Sequence, residues 1–285
     1  MAEAAVPART GGFKERMARM AIGTYVIWLR DLKRFWRDRM RRIGAFIQPL
    51  IYLFLLGTGL QAAFSVFGSG DVNYVAFMYP GIVAMTILFT AVFSGISIIW
   101  DREFGFLKEM MVAPIPRTSV ALGKVTGGGT TAFMQGCILL LFMPLVSIPF
   151  SLEKIVLMLL FMLALAMSLS SMGVLIAARM RSFEGFPIVI NFILLPMFFL
   201  SGAMFPLQNL PGWMEFLTKI NPLTYAVDAL RGICLKGVEI TSGPSLPMMP
   251  QLQLQVYPLW LDFLVIFGFG LFLLIITIWR FNRQE

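Results

Sequence analysis

The stretch Asp101–Lys124, DREFGFLKEMMVAPIPRTSVALGK, is charged at its start, apolar through its middle and broken by Pro114 and Pro116. It nevertheless separates two of the most hydrophobic runs in the chain, Tyr74–Trp100 and Val120–Phe150. A bilayer-crossing helix takes roughly 20 mostly apolar residues, and both flanking runs are long enough. The segment is therefore read as a connection at a membrane surface, within an all-α integral membrane protein. Working outward adds Ile43–Phe64, Ile155–Ala178, Phe186–Pro206 and Leu259–Trp279, for six spans and both termini on one side. Pro49, Pro80, Pro144 and Pro196 fall inside these runs and are expected to kink them, since neighbouring helices can satisfy the freed carbonyls.

Composition agrees. Hydrophobic residues make up 58% of the 285, charged residues 13%, and the mean hydropathy is +0.81, whereas a soluble domain carries about 25% charged residues. The formal charge of +8 fits anchoring beside anionic lipid better than nucleic-acid binding. With no His, and with Cys137 and Cys234 far apart, there is no sign of a metal cluster, redox pair or disulfide framework. The first forty residues lack the apolar core of a cleaved signal peptide, so the first span is expected to remain.

Orientation follows from the cations. Of the 23 Lys and Arg, nineteen fall in the N-terminal segment, the second and fourth connections and the tail, against Lys154, Lys219, Arg231 and Lys236 on the other side. The positive-inside rule then makes the termini and the Asp101–Lys124 segment cytoplasmic. Residues 1–42 form an N-terminal cytoplasmic segment, and residues 43–285 the six-span domain.

Two further segments do not span. From Tyr25 to Arg42, Tyr25, Trp28, Leu29, Leu32, Phe35, Trp36 and Met40 recur at helical spacing opposite Arg30, Lys33, Arg34, Arg37 and Arg41, which describes an interfacial amphipathic helix. The connection between Pro206 and Pro258 begins with residues 207–236, too apolar for a solvated loop and too interrupted by Pro211, Gly212 and Pro222 for one span. Two short helices dipping into the outer leaflet are expected there. Asp228 and Arg231 are spaced to pair, either meaningfully or as a solvated surface pair.

Catalytic material is scarce. The spans hold chiefly Gln48, Gln135, Asn191 and Asp262 as polar residues, with no acid and base pair among them. Asp262 lies near the outer end of its span and is expected to snorkel to the interface; the amides read as helix-to-helix hydrogen-bonding groups. In ALGKVTGGG, Val125 stands where a phosphate-binding loop needs Ser or Thr and Thr118 where it needs Gly. Gly123 and Gly127 instead make a small-residue packing face. Within the opening stretch, helical periodicity sets Phe104, Phe106, Leu107, Met110 and Met111 on one arc and Asp101, Arg102, Lys108 and Glu109 on the other, with Glu103 the exception. An amphipathic helix over 101–117 is expected at the cytoplasmic surface, placed either to be gripped or merely to rest on lipid.

The run FLKEMMVAPIPRTSVALGKVTGGG, with GIVAMTILFTAVFSG before it and LSGAMFPLQNLPGWM and INPLTYAVDALRG after it, resembles the permeases of type-2 ATP-binding-cassette exporters. The resemblance covers about Ile43 to the C-terminus. It implies a six-span, non-enzymatic subunit of a bacterial or archaeal cytoplasmic membrane. That subunit pairs with a second, similar copy and with separate cytoplasmic ATPase subunits that carry the ATP and Mg, so no cofactor is expected on this chain. It also implies that the helix after span two couples to the ATPase, with Glu103, Phe104, Leu107, Lys108, Glu109, Met111 and Arg117, and more weakly Arg34 and Arg37, as contacts. Residues 207–236, with Trp213, Asn221, Pro222, Tyr225, Asp228 and Arg231, would gate the exit. Many Phe and Met but few Trp or Tyr in the spans favour a lipophilic or amphipathic cargo. A polysaccharide exporter of the same family, and an ATP-independent channel or scaffold, are the alternatives.

Overall fold

The computed structural model describes residues 13–66, 71–112, 115–180, 182–205, 207, 210–237, 241–242 and 255–283. These residues are almost wholly helical. Helix α1 (Phe13–Arg37) is separated by Asp38 from α2 (Arg39–Ile51), which continues through a π-helical turn (Tyr52–Leu56) into α3 (Gly57–Val66). Helix α4 (Tyr74–Phe93) runs almost straight into α5 (Ile96–Glu103); α6 (Phe106–Val112) and α7 (Arg117–Leu140) follow. The rest comprises α8 (Leu152–Arg179), α9 (Gly185–Phe199), α10 (Gly212–Ile220), α11 (Pro222–Cys234) and α12 (Leu259–Asn282). Asp71–Val72 pairs antiparallel with Thr241–Ser242.

Proline and asparagine punctuate this order. Pro116, Pro211 and Pro258 stand immediately before α7, α10 and α12, and Pro222 is the first residue of α11, positions where the missing N–H has no intrahelical acceptor to lose. Asn73 and Asn221 cap α4 and α11 by accepting from Ala76 N–H and Leu223 N–H. Pro49, Pro80 and Pro196 lie inside helices as expected. Pro144 does not: α7 ends at Leu140 and Pro144 is the second residue of a 3₁₀ turn, Met143–Val146, so the third apolar run yields a shorter helix than its hydropathy suggested.

Tyr74–Glu103, Leu152–Arg179 and Leu259–Asn282 are long and apolar enough to cross a membrane. Ile47–Ala62 and Gly185–Phe199 are shorter apolar helices. Helix α7 is less apolar, with Lys124 and a Gly-rich centre, and is enclosed by α1, α4 and α8. Helix α8 sits among α4, α7 and α12 and contributes Met162, Leu165, Ala166 and Leu169 to the core. The outward flank of α12 exposes Leu264, Phe267, Phe272 and Ile275 between Trp260 and Trp279. Nineteen residues of helix separate the two indoles, about 28 Å at 1.5 Å per residue, close to the thickness of a hydrocarbon core, where interfacial Trp collect.

Candidate functional site

The connection from α5 to α7 is a corner rather than one continuous amphipathic helix. The backbone turns at Phe104–Gly105, where Gly105 takes φ of +79°, a left-handed geometry that costs other residues about 1–2 kcal/mol. The turn separates Asp101, at the end of α5, from the polar face expected of it: Asp101 is 3% exposed. Lys124, counted in the sequence as a connecting-segment cation, lies two turns into α7 and is 2% exposed.

These two buried charges meet. Lys124 Nζ lies 2.6 Å from Asp101 Oδ2 and 3.0 Å from Asp31 Oδ2, and donates to Ser97 Oγ at 3.2 Å. Arg30 bonds the same Asp101 carboxylate and lies 3.4 Å from Asp31, while Arg34 approaches Asp101 at 4.0 Å. One ionic network thus joins α1, α5 and α7. Burial works against the Arg30 charge, but Asp101 and Asp31 outweigh it and hold its pKa above the ordinary guanidinium value. Arg34 also stacks over the Trp100 ring at 4.2 Å, and Trp100 stacks on Phe183. Arg102 donates to the carbonyls of Met180 and Ala178, tying the corner to the end of α8.

Small residues allow the approach. A Cβ on Gly123 would lie 2.7 Å from Ile27 Cβ, and one on Gly127 3.2 Å from Asp31 Cβ, so the small-residue face read in the sequence is the seat of α1. Helix α1 is accordingly less interfacial than its periodicity implied. Ile27 and Phe35 are buried and Trp28 donates to Thr130 Oγ1 at 3.0 Å, while Tyr25, Trp36 and Met40 stay exposed.

The corner itself projects outward. Phe104 is 71% exposed and Val112 86%; Phe106, Glu103 and Glu109 are also exposed. Met110 and Ile115 pack against the core, Arg117 begins α7 half-buried, and Arg37 is exposed. The side chains of Leu107, Lys108 and Met111 lie outside the described residues. The sequence reading missed Asp31, Asp101 and Lys124. The available signal was Lys124, a lone cation in an otherwise uncharged apolar run, the kind of residue that marks function by default.

A second polar cluster occupies the opposite end, on α11. Asp228 and Arg231 are buried, not solvated, and do not pair with each other. Asp228 accepts from the N–H groups of Val256 (2.9 and 3.0 Å) and Tyr257 (2.8 Å). Burial pushes its carboxyl upward, against the pull of those N–H groups. Arg231 donates to the carbonyls of Gly202 (2.6 Å) and Ala203 (3.3 Å) and covers the Phe77 ring at 4.0 Å. Asn221 donates to Met197 O, Thr224 to Leu200 O and Tyr74 to Met204 O. Tyr225 donates to Lys219 O and packs on Tyr257, and Trp213 on α10 is exposed. Asp262 does not snorkel. It is fully buried, and neither of its oxygens has a hydrogen-bond partner.

Neither cluster sets a nucleophile beside a base. The first sets the exposed Phe104 and Phe106 beside a base fixed by buried charge. The profile of the family described as ABC-2 type transporter matches residues 23–235. Relatives include ycf38 of Cyanophora paradoxa, named as a transport permease, 30% identical over 70% of this chain and 71% of that protein. The inner membrane transport permease YadH of Escherichia coli (strain K12) is 26% identical over 72% and 80%. Nodulation protein J of Rhizobium meliloti (strain 1021) is 29% identical over 73% and 80%.

Proposed function

Because this chain belongs to the ABC-2 type transporter family of permeases, we propose that it is the membrane-embedded subunit of an ATP-driven exporter. In this reading it crosses a cytoplasmic membrane six times with both termini inside, and pairs with a second copy. Separate cytoplasmic ATPase subunits bind the ATP and Mg. The observation that carries it is the α5–α6 corner, which exposes Phe104, Phe106 and Val112 next to Asp101, the centre of the buried ionic network.

The corner can work as a coupling joint for physical reasons. A partner gripping α6 gains buried apolar anchors ringed by Glu103, Glu109 and Arg117, the usual anatomy of a strong contact. Displacement of α6 passes through Gly105 to α5. Asp101 is bonded to α1 and, through Lys124, to α7, so the three helices shift as a block. Packed helices of this kind occupy discrete arrangements and do not deform continuously, which turns a push at the tip into a change of the membrane bundle. At the other end, α10 and α11 are assigned to the exit, with Trp213, Pro222, Tyr225, Asp228 and Arg231 on them and Asn221 between them. The cargo is lipophilic or amphipathic.

The test is association and coupling of the ATPase, normalised to permease in the membrane. Phe104→Ala should leave the chain inserted and weaken ATPase pull-down by about 1–4 kcal/mol, and Leu107→Ala is expected to do the same. Glu109→Lys should uncouple ATP hydrolysis from cargo movement by reversing a charge at the contact. A connection that merely rests on lipid predicts the reverse for Glu109→Lys, because added cations favour anionic headgroups. Wild-type values in all three variants would overturn the coupling assignment.

A further inference from the structure

A pocket of about 360 Å³ among α7, α8 and α12 adjoins one of about 480 Å³ between α1 and α7, and Leu122 and Thr126 of α7 line both. Together they form one groove with α7 as its floor. Leu163 of α8 with Phe267 and Leu271 of α12 stand on one side, and Met20, Tyr25 and Trp28 of α1 on the other. The part between α8 and α12 has the character of hydrocarbon. Its hydroxyls are turned back on their own helices, Thr126 donating to Leu122 O at 2.8 Å and Ser171 to Met167 O at 2.9 Å, so they ask nothing of an occupant. Along α12 the lining runs from Phe263 to Leu274, about 16 Å at 1.5 Å per residue. That is about the depth of one leaflet of a hydrocarbon layer of about 30 Å. Phe267 and Leu271 are also exposed on the outward flank of α12, between Trp260 and Trp279, so the groove opens to acyl chains.

The α1 wall ends in positive charge. Helix α1 runs beside α7 in the same direction, since Gly23 faces Ser119 and Ile27 faces Gly123. Residues well before Gly23 therefore continue past the start of α7, on the side of the α5–α7 corner. Lys14 lies seven residues before Ala21 and Arg16 four before Met20, helical spacings that put both cations on the stripe lining the groove. Both are exposed, while Glu15 between them is paired with Arg19 at 3.7 Å. Tyr25 and Trp28, with ring centroids 5.7 Å apart, are the aromatic types that collect at headgroup depth. We infer that the groove holds a resident anionic phospholipid, with one acyl chain between α8 and α12 against Phe267 and Leu271 and the phosphate at Lys14 and Arg16. The apolar slot alone accepts any chain; the two cations select the headgroup. This lipid is a part of the bundle and not its cargo. It bridges α1 to α12 across α7, so headgroup charge in that leaflet bears on how firmly α1 is held to the block it forms with α5 and α7. The inference needs a membrane-embedded chain and does not depend on ATPase coupling.

The experiment uses the full-length chain in phosphatidylcholine nanodiscs and two photoreactive probes with the same diazirine-bearing acyl chain, a phosphatidylglycerol and a phosphatidylcholine. The phosphatidylglycerol probe should label the α12 peptide containing Phe267 and Leu271, and excess unlabelled phosphatidylglycerol should displace it. Lys14→Gln with Arg16→Gln changes two exposed side chains and should lower that labelling about thirtyfold, the usual effect of two cations near an anionic headgroup. Labelling by the phosphatidylcholine probe should not change. Leu163→Trp fills the slot from a position already 40% exposed and should block both probes, with insertion checked by unchanged monodispersity. Labelling that is absent, equal for the two probes, or indifferent to the variants would overturn the inference. So would efficient disulfide formation between two copies carrying Leu163→Cys in a background without Cys137 and Cys234, because a second protein chain would then cover the groove.

Discussion

Replacing Lys124 by Met retains the length of the side chain and removes its charge, leaving Asp101 and Asp31 to share what remains. Breaking a buried ion pair by deleting one partner costs about 3–5 kcal/mol. Here Asp101 keeps Arg30, and Asp31 keeps the same guanidinium at 3.4 Å, which places Lys124→Met near the lower end, about 3 kcal/mol. Arg34 serves as the internal control. It stands 4.0 Å from Asp101 with 39% of its side chain exposed, so Arg34→Ala forfeits a weak pair and a cation–π contact, about 1 kcal/mol together. The assay is reversible unfolding of the purified chain in micelles, followed by tryptophan fluorescence. Asp31→Asn in the Lys124→Met background relieves the surplus negative charge, so the double variant should be at least about 1 kcal/mol more stable than additivity predicts. The reasoning fails if Lys124→Met costs no more than Arg34→Ala, or if the double variant is additive.

In cells, a membrane-impermeant thiol reagent should modify a cysteine placed at Ser245 and spare one at Thr118, in a background without Cys137 and Cys234; labelling at Thr118 would reverse the orientation. Asp228→Ala should speed hydrogen exchange at Val256 and Tyr257, since it removes both of their acceptors at about 1–3 kcal/mol; unchanged protection would show that other contacts hold this segment. Asp262→Asn should leave the chain at least as stable as the parent, because a buried carboxylate without partners is a liability and not a contact; a lower unfolding midpoint would reveal a partner for the carboxylate.

Hydropathy was enough to find the three long apolar helices, since α4 with α5, α8 and α12 are apolar over lengths a soluble core does not need. It misjudged where charge sits. Asp101 and Lys124 each border a connection, and local periodicity assigns such residues to water. Only the packing of α1 on the Gly123–Gly127 face, a contact between residues about a hundred positions apart, encloses them. Asp228 and Arg231 failed the same way, because spacing suggests a pair within one helix while the actual acceptors and donors are backbone groups on other segments. Phe104 was read on the apolar arc of one helix over 101–117, but the helix breaks at Phe104–Gly105, a turn that helical periodicity does not register, and leaves Phe104 71% exposed.

Helix α9 counts fifteen residues, about 22 Å at 1.5 Å per residue, against a hydrocarbon layer of about 30 Å. If it enters that layer from one face it stops short of the other, and its carbonyls end where no water can reach them. An unsatisfied backbone group in lipid costs several kcal/mol. The carbonyls of Met197, Leu200, Gly202, Ala203 and Met204 escape this because Asn221, Thr224, Arg231 and Tyr74 donate to them. Helix α11 with Tyr74 therefore acts as a solid replacement for solvent over the truncated end, and the bilayer need not thin to meet it. A cation buried at Arg231 is in that sense part of the hydration of α9, and any motion that withdraws α11 must bring water in behind it.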